Sequence, residues 1–386
     1  MILFAIPALA AGAYYALALV ATSRWNRAAP RQLAPFIPAV SILKPIHGRD
    51  PGFYACIRSH AAQHYPEFEI LFGVSDPNDA AIADIESLQR EFPAVPISLV
   101  RVSTTAPNAK AGVLAELARH ARHDVLLVND GDIFVPAGYL DAVVTPLADP
   151  ANGLATCLYR ARGASLAANM EALGIATDFV PSVLVARLLG VAEFALGSTM
   201  VFRVETLRAM GGFEAIADYL ADDYQLGRRI HALGLRIAFS DMVVETNLGG
   251  SSWRDVIQHQ LRWARTIRVS RFAGYCGSVV TNATFWAVVA LLAGAWWAAI
   301  LALVLRVAAG AWIASDILDD PNVARMAPLI PVRDLLGFGI WVAGLFGDTV
   351  EWRGKTLRLR RDGKIEEFEG AAADAAAPSH PQSPRG

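Results

Sequence analysis

At 386 residues, 54% of them hydrophobic, and with a mean hydropathy of +0.36, the chain is too apolar for an ordinary soluble protein, while its 18% of charged residues is too many for a bundle of membrane helices alone. The length fits one soluble domain of roughly 250 residues plus membrane segments. A net charge of −2 gives no reason to expect a nucleic-acid partner, and Cys56, Cys157 and Cys276 are too far apart for a disulfide framework or a zinc pattern.

Ile2 to Thr22 is nearly free of charge and about long enough to cross a bilayer. It has no basic stretch before it and no convincing cleavage site after it, so it reads as a retained anchor. Arg24, Arg27 and Arg31 follow, which by the positive-inside rule puts the next domain in the cytoplasm. Pro30, Pro35 and Pro38 make a stiff linker.

From Ala39 strand-like and helix-like segments alternate. Val40 to Leu43 is a short strand ending at Lys44-Pro45, followed by a helix from about Pro51 to Gln63. Phe68 to Val74 is a second strand that closes on Ser75-Asp76; Asn78 or Asp79 is placed to cap the next helix. Ile97 to Val102 is a third strand and Asn108 to His120 a third helix. Val125 to Val128, four consecutive apolar residues, reads as a buried strand running into Asn129-Asp130-Gly131-Asp132. This order predicts a mostly parallel sheet with helices on both faces. No Gly-x-Gly-x-x-Gly follows the first strand, which disfavours a dehydrogenase. An open α/β sheet binds ligands at the carboxyl ends of its strands. Asp130 and Asp132 there suit a divalent metal, although Asp-Gly-Asp is also common turn chemistry.

Further on, Gly153 to Tyr159 and Gly197 to Arg203 read as strands, and Phe179 to Phe194 as buried helices or a lipid-facing surface. Asp222-Asp223-Tyr224 opens a helix to about Leu233, with acids where a helix N-terminus favours them. Leu235 to Phe239 is a final short strand. Trp253 to Arg271 reads as an amphipathic helix whose Arg262, Arg265, Arg268 and Arg271 form a stripe for anionic headgroups. Phe285 to Ile317 is long enough for a tight hairpin of two membrane spans or for one span plus a partial one, and Leu335 to Phe346 is a shorter re-entrant or interfacial segment. The basic stretch Trp352 to Lys364 belongs in the cytoplasm, and the Ala/Pro/Ser run beyond Gly370 is expected to be disordered.

Three acidic sites thus fall at comparable places: Asp76, the Asp130/Asp132 pair, and Asp222-Asp223. Together with Arg262 and Trp263 they suit a nucleotide diphosphate and a sugar. In this order they resemble the D, DxD, (E/D)D and (Q/R)xxRW motifs of membrane-bound GT-A glycosyltransferases. The nearest resemblance is to the ceramide glucosyltransferase family, glycosyltransferase family 21. Val40-Ser-Ile-Leu-Lys-Pro45, Thr156-Cys-Leu-Tyr-Arg160, Pro181-Ser-Val-Leu-Val-Ala-Arg187 and Arg262-Trp-Ala-Arg-Thr-Ile-Arg268 resemble its bacterial hopanoid-associated branch.

The resemblance implies an α/β GT-A nucleotide-diphospho-sugar transferase fold, a Rossmann-like mixed sheet with N- and C-terminal transmembrane helices. It implies a multi-pass protein of the bacterial inner membrane with a cytoplasmic catalytic domain. The chain then divides into an anchor (1–23), a basic linker (24–38), a catalytic domain (39–252), an interfacial helix (253–280), a membrane region (281–350) and a basic, then disordered, tail (351–386). The implied reaction is inverting transfer from a UDP-sugar to a lipid hydroxyl. For a hopanoid acceptor this is N-acetylglucosamine to a bacteriohopanepolyol; the alternative is glucose to ceramide. Asp76 would contact the uridine, Asp132 with Asp130 would hold Mg²⁺ or Mn²⁺, and Asp223 beside Asp222 would be the general base. Arg262 would grip the diphosphate, Trp263 would shape the acceptor side, and Lys110 would meet the nucleotide. His259 departs from the Gln or Arg of the motif. From a different class, an idle membrane scaffold with a nucleotide-binding fold is the competing reading.

Overall fold

The computed structural model describes residues 2–27, 36–191 and 193–367. Eight strands form one sheet: β1 Val40–Ile46, β2 Phe68–Val74, β3 Ile97–Arg101, β4 Val125–Val128, β5 Ile133–Phe134, β6 Asn152–Gly163, β7 Met200–Arg203 and β8 Arg236–Gly249. Their order is β3-β2-β1-β4-β7-β6-β8-β5. The first half is parallel, as the alternating order predicts, but β7 runs antiparallel to both β4 and β6, and β5 antiparallel to β8. The sheet is therefore mixed rather than mostly parallel. Strands β1, β2 and β4 are buried along their whole length, which explains their near-continuous apolar runs.

The last strand is the main departure from the expected elements. It continues ten residues past Phe239, to Gly249. A register shift against β6 at Cys157/Leu158 lets the strand run on past Ser240, beyond which Val243 pairs with Leu158 and Thr246 with Ala161.

The helix Ile2–Arg27 packs a stripe of small residues, including Ala8, Ala11 and Ala18, against the helices Ala283–Leu292 and Trp296–Trp312, where Ala287, Ala290, Ala298, Ala302 and Ala309 face it. Small side chains let helix backbones approach closely, as membrane helices require. Among the described residues three helical segments are long and apolar enough to cross a membrane: Leu3–Trp25, Trp296–Ile317 and Ala327–Gly344; Phe272–Thr281 and Ala283–Leu292, bent by 53°, make a fourth if they count as one. In the stretch expected to hold a hairpin, or one span and a partial one, the ten-residue helix Ala283–Leu292 and the longer helix from Trp296 are separated by a break at Gly294 (φ 78°). The segment expected to begin at Leu335 starts earlier, because Pro328 and Pro331 occupy first-turn positions that tolerate a missing N–H.

Within this bundle Arg306 is fully buried. Its guanidinium donates to Asp334 (2.6 Å), to Asp178 and to the Thr177 carbonyl (2.6 Å), and lies 4.7 Å from the Tyr15 ring centre. Thr284 adds a hydrogen bond to Asp334 (2.6 Å), and Arg333 links the group to Gln260 (2.8 Å) on the next helix. Arg306→Met would leave the buried Asp334, and the half-exposed Asp178 beside it, without this cation. It is expected to cost about 3–5 kcal/mol, read as a lowered unfolding midpoint in detergent; an unchanged midpoint would show that the network adds no stability.

The helix Trp253–Ser270 begins where a capping box sets it: Ser252 Oγ accepts from Asp255 N–H (3.3 Å), and Asp255 accepts from Ser252 N–H (2.9 Å). Its arginine stripe is not left for headgroups. Arg265 donates to the Phe346 and Thr349 carbonyls and Arg268 to those of Leu345 and Gly347, while Arg271 pairs with Glu193 (3.4 Å). These carbonyls follow the helix Ile330–Gly344, whose C-terminal end attracts cations. Trp253, Ile257 and Ile267 stay exposed.

The expected basic tail is folded as far as Glu367. Strands β9 Thr349–Trp352, β10 Lys355–Leu359 and β11 Ile365–Glu367 make an antiparallel sheet. Val350, Leu357, Leu359 and Ile365 bury one face of it against Leu220, since alternation along each strand puts these residues on the same side. Pro30 and Pro35 of the linker, and the run beyond Gly370, lie outside the described residues.

Candidate active site

The register of the sheet brings the acidic residues to one edge. β1 and β4 pair in parallel with Leu43 opposite Val128, so Asn129-Asp130 leave β4 beside Lys44, which β1 still holds against β2. β7 runs the other way, with Met200 opposite Val128; its N-terminal approach, Gly197 to Thr199, therefore reaches the same edge. β5 pairs with β8, Ile133 opposite Thr246, and this seats Asp132 beside β8.

Lys110 Nζ lies 2.9 Å from Asp130 and 3.2 Å from Asp222, bridging the second and third acidic sites. Asn108 caps its helix by accepting from Ala111 N–H (3.1 Å), and its amide donates to the Tyr219 carbonyl (2.7 Å), just before Asp222. Asp223 accepts from Gly197 N–H (3.1 Å) and Tyr224 N–H (2.7 Å). A Cβ at position 197 would sit 3.2 Å from the Asp223 carboxylate, so glycine permits that approach. Thr246 Oγ donates to Asp132 (2.5 Å), and Lys44 Nζ donates to the Asp130 carbonyl (3.1 Å).

The electrostatics divide the carboxylates. Burial opposes the charge of Asp130, but Lys110 outweighs it and holds that carboxyl below its usual range. Burial and then the neighbouring Asp130 push Asp132 up, against the Thr246 hydrogen bond. Burial and then Asp222 raise Asp223 to about 6, opposed by Lys110. Burial lowers Lys44 to about 7. Burial likewise works against Lys110, but Asp130 and Asp222 raise it above the ordinary lysine value.

A divalent cation fits here. Asp130 and Asp132 are close enough for one to raise the other, and among the described residues no third His, Cys, Asp or Glu completes a cage. Two carboxylates with open positions suit Mg²⁺ or Mn²⁺ that also binds phosphate oxygens.

Arg262 lies within electrostatic reach of Asp130, Glu171 and Asp222, and burial lowers its pKa. Trp263 stands 4.7 Å from the His259 ring and 6.3 Å from Phe179, whose ring is 5.2 Å from Tyr159. His259 pairs with the buried Glu171 (2.6 Å), giving this departure from the motif a partner. Asp76 stands apart from these groups. It is exposed at the end of β2, where its carboxylate accepts from Asn78 N–H (2.8 Å).

Sequence reasoning missed Thr246, Gly197 and Glu171 and took Lys44 only as a strand end. Met242-Val-Val-Glu-Thr246 carried a usable signal, since β-branched residues there favour a strand. The other two pairings depend on tertiary register.

The fold defines the class first. The structure resembles that of the mannosyltransferase PcManGT from Pyrobaculum calidifontis, solved with GDP-Man and Mn²⁺, with a TM-score of 0.53, 20% identity, and coverage of 89% of this chain and 99% of that one. This is a GT-A-like fold. The sequence matches glycosyl transferase family 21 over residues 2–365, and the chain belongs to that family. Similar curated proteins include ceramide glucosyltransferase 1 of Caenorhabditis elegans, 28% identical over 53% of this chain and 45% of that protein. Ceramide glucosyltransferase of Komagataella phaffii is 32% identical over 29% of this chain and 23% of its own length. The chain spans about half or less of these relatives.

Proposed function

We propose that the protein is a membrane-bound, metal-dependent inverting glycosyltransferase that moves a hexose from a UDP-sugar to a lipid hydroxyl. The observation that carries this reading is the Lys110 bridge, which brings the Asp130-Gly-Asp132 pair and the Asp222-Asp223 pair into one cleft. Asp223, held by two backbone N–H groups and raised to about 6, is ionised near neutral pH and retains affinity for a proton. It takes the proton of the acceptor hydroxyl as that oxygen bonds to the anomeric carbon and the bond to the diphosphate breaks on the opposite face. Lys110 and Arg262 hold the nucleotide, and Asp76 at the end of β2 meets its uridine. Mg²⁺ or Mn²⁺ bound by Asp132 and Asp130 would neutralise charge on the departing diphosphate. Trp263, with Phe179 and Tyr159, provides an apolar wall for the acceptor.

The membrane setting follows from packing. The sheet β9–β11 rests on the loop before Asp222, so it lies on the same side of the membrane as the cleft. An even number of crossings must separate them. We favour a hairpin around Gly294, in which the bent pair ending at Leu292 and Trp296–Ile317 both cross and Ala327–Gly344 does not. The arginines after the anchor support a cytoplasmic site, and we take the membrane to be a bacterial inner membrane.

Two acceptors fit. The names of the similar proteins favour ceramide with UDP-glucose; the segments that resemble the hopanoid branch favour a bacteriohopanepolyol with UDP-N-acetylglucosamine. Membranes carrying the protein should be incubated with each labelled UDP-sugar, and the lipids extracted and identified. Label in one lipid class from one donor is the expected result. No label in any lipid would sink the enzyme reading and leave the idle scaffold.

A further inference from the structure

The helix Trp253–Ser270 turns one face to β9: Gln258 donates to Glu351 (3.1 Å) and Arg265 to the Thr349 carbonyl (2.6 Å). Residues three and four apart share a helix face, so Arg262, between those two contacts, faces β9, and the hairpin that joins β9 to β10 lies just beyond Gln258 on the same side of the helix. The same small sheet is fixed to the other wall of the cleft. Lys364 pairs with Asp218 (2.8 Å), and Ile365 N–H donates to the Asp218 carbonyl (2.8 Å), four residues before Asp222. Asn108, which caps the helix of Lys110, holds that loop from the opposite side. The hairpin tip is Arg353-Gly354, with φ of 51° and 77°. Such two-residue turns favour Asn or Gly at both positions, so an arginine here is kept against a local preference. Its guanidinium lies 5.2 Å from the Trp352 ring centre and, among the described residues, forms no ion pair. It is within electrostatic reach of Asp130, Asp50 and Arg262. Two arginines facing one cleft repel each other until an anion lies between them.

We infer that Arg353, carried by the β9–β10 hairpin, is a donor-site residue that grips the diphosphate of the nucleotide sugar opposite Arg262. This rests on the UDP-sugar reading above, and it makes the carboxy-terminal sheet one wall of the site. Arg353→Gly is the informative variant, because glycine accepts the left-handed turn and the sheet should fold unchanged. UDP binding to the full chain in detergent with Mn²⁺ is measured by calorimetry, and uridine binding by competition. The expected result is a fall of about tenfold in UDP affinity, with uridine affinity and the unfolding midpoint unchanged and part of the loss restored in Arg353→Lys. Equal UDP affinity in Arg353→Gly and wild type would overturn this inference alone. A wild type that binds no UDP would overturn it together with the donor reading.

Discussion

Asp223→Asn is expected to lower sugar transfer to lipid about a thousandfold, within the range for losing a general base, while UDP binding in the presence of Mn²⁺ stays near the wild-type value. The variant keeps the shape of the side chain and one of its two backbone hydrogen bonds but has no proton affinity. In the wild type the rate should fall as the pH drops through about 6, where the carboxyl protonates. Stability should move with pH in the opposite sense. A folded-state pKa above the ordinary 3.8 means that ionisation costs the fold stability as pH rises. Wild type should therefore lose stability relative to Asp223→Asn between about pH 4 and pH 7, with no further change above that. Thermal unfolding of both proteins across this range checks the sign, and transfer that survives in the variant would remove Asp223 from the chemistry.

Removing divalent metal should abolish transfer altogether, and Asp132→Asn should approach the same loss of more than about a hundredfold. The reason lies in the two carboxylates. Asp130 already has a cation in Lys110, whereas the half-buried Asp132 stands beside another acid with the Thr246 hydroxyl, a backbone N–H and the more distant Lys44 to favour its charge. A divalent ion is the group that would let both ionise. Titrating Mn²⁺ into chelated protein should restore activity and tighten UDP binding in parallel in wild type, and weakly in Asp132→Asn. Full activity in excess chelator would exclude the metal role.

Much of the site could be read from residue order. The apolar runs of β1, β2 and β4 needed only burial on both faces to be recognised, and each was found within a few residues of its ends. Asp130, Asp132, Asp222 and Asp223 each have an ordinary turn or helix N-terminal use, and stood out because they fall in one order with Asp76, Arg262 and Trp263. Lys110 was the weakest of these readings, since a lysine on a helix is usually a surface residue; burial between two carboxylates gives it its place. The arginine stripe misled for a related reason. Period three along a helix shows which side chains share a face but not what meets that face, and here much of it meets a helix C-terminus.

The sequence by itself determined the order of elements, the acidic residues and the membrane segments, because each depends on local periodicity or on a motif. Tertiary structure decided the rest. The antiparallel insertion of β7 brings Gly197 to Asp223, the extension of β8 gives Asp132 its Thr246 partner, and the carboxy-terminal sheet docks on Leu220 in the loop before Asp222. In each case the partner is dozens of residues or more away, and strand register or sheet docking, not composition, sets the distance.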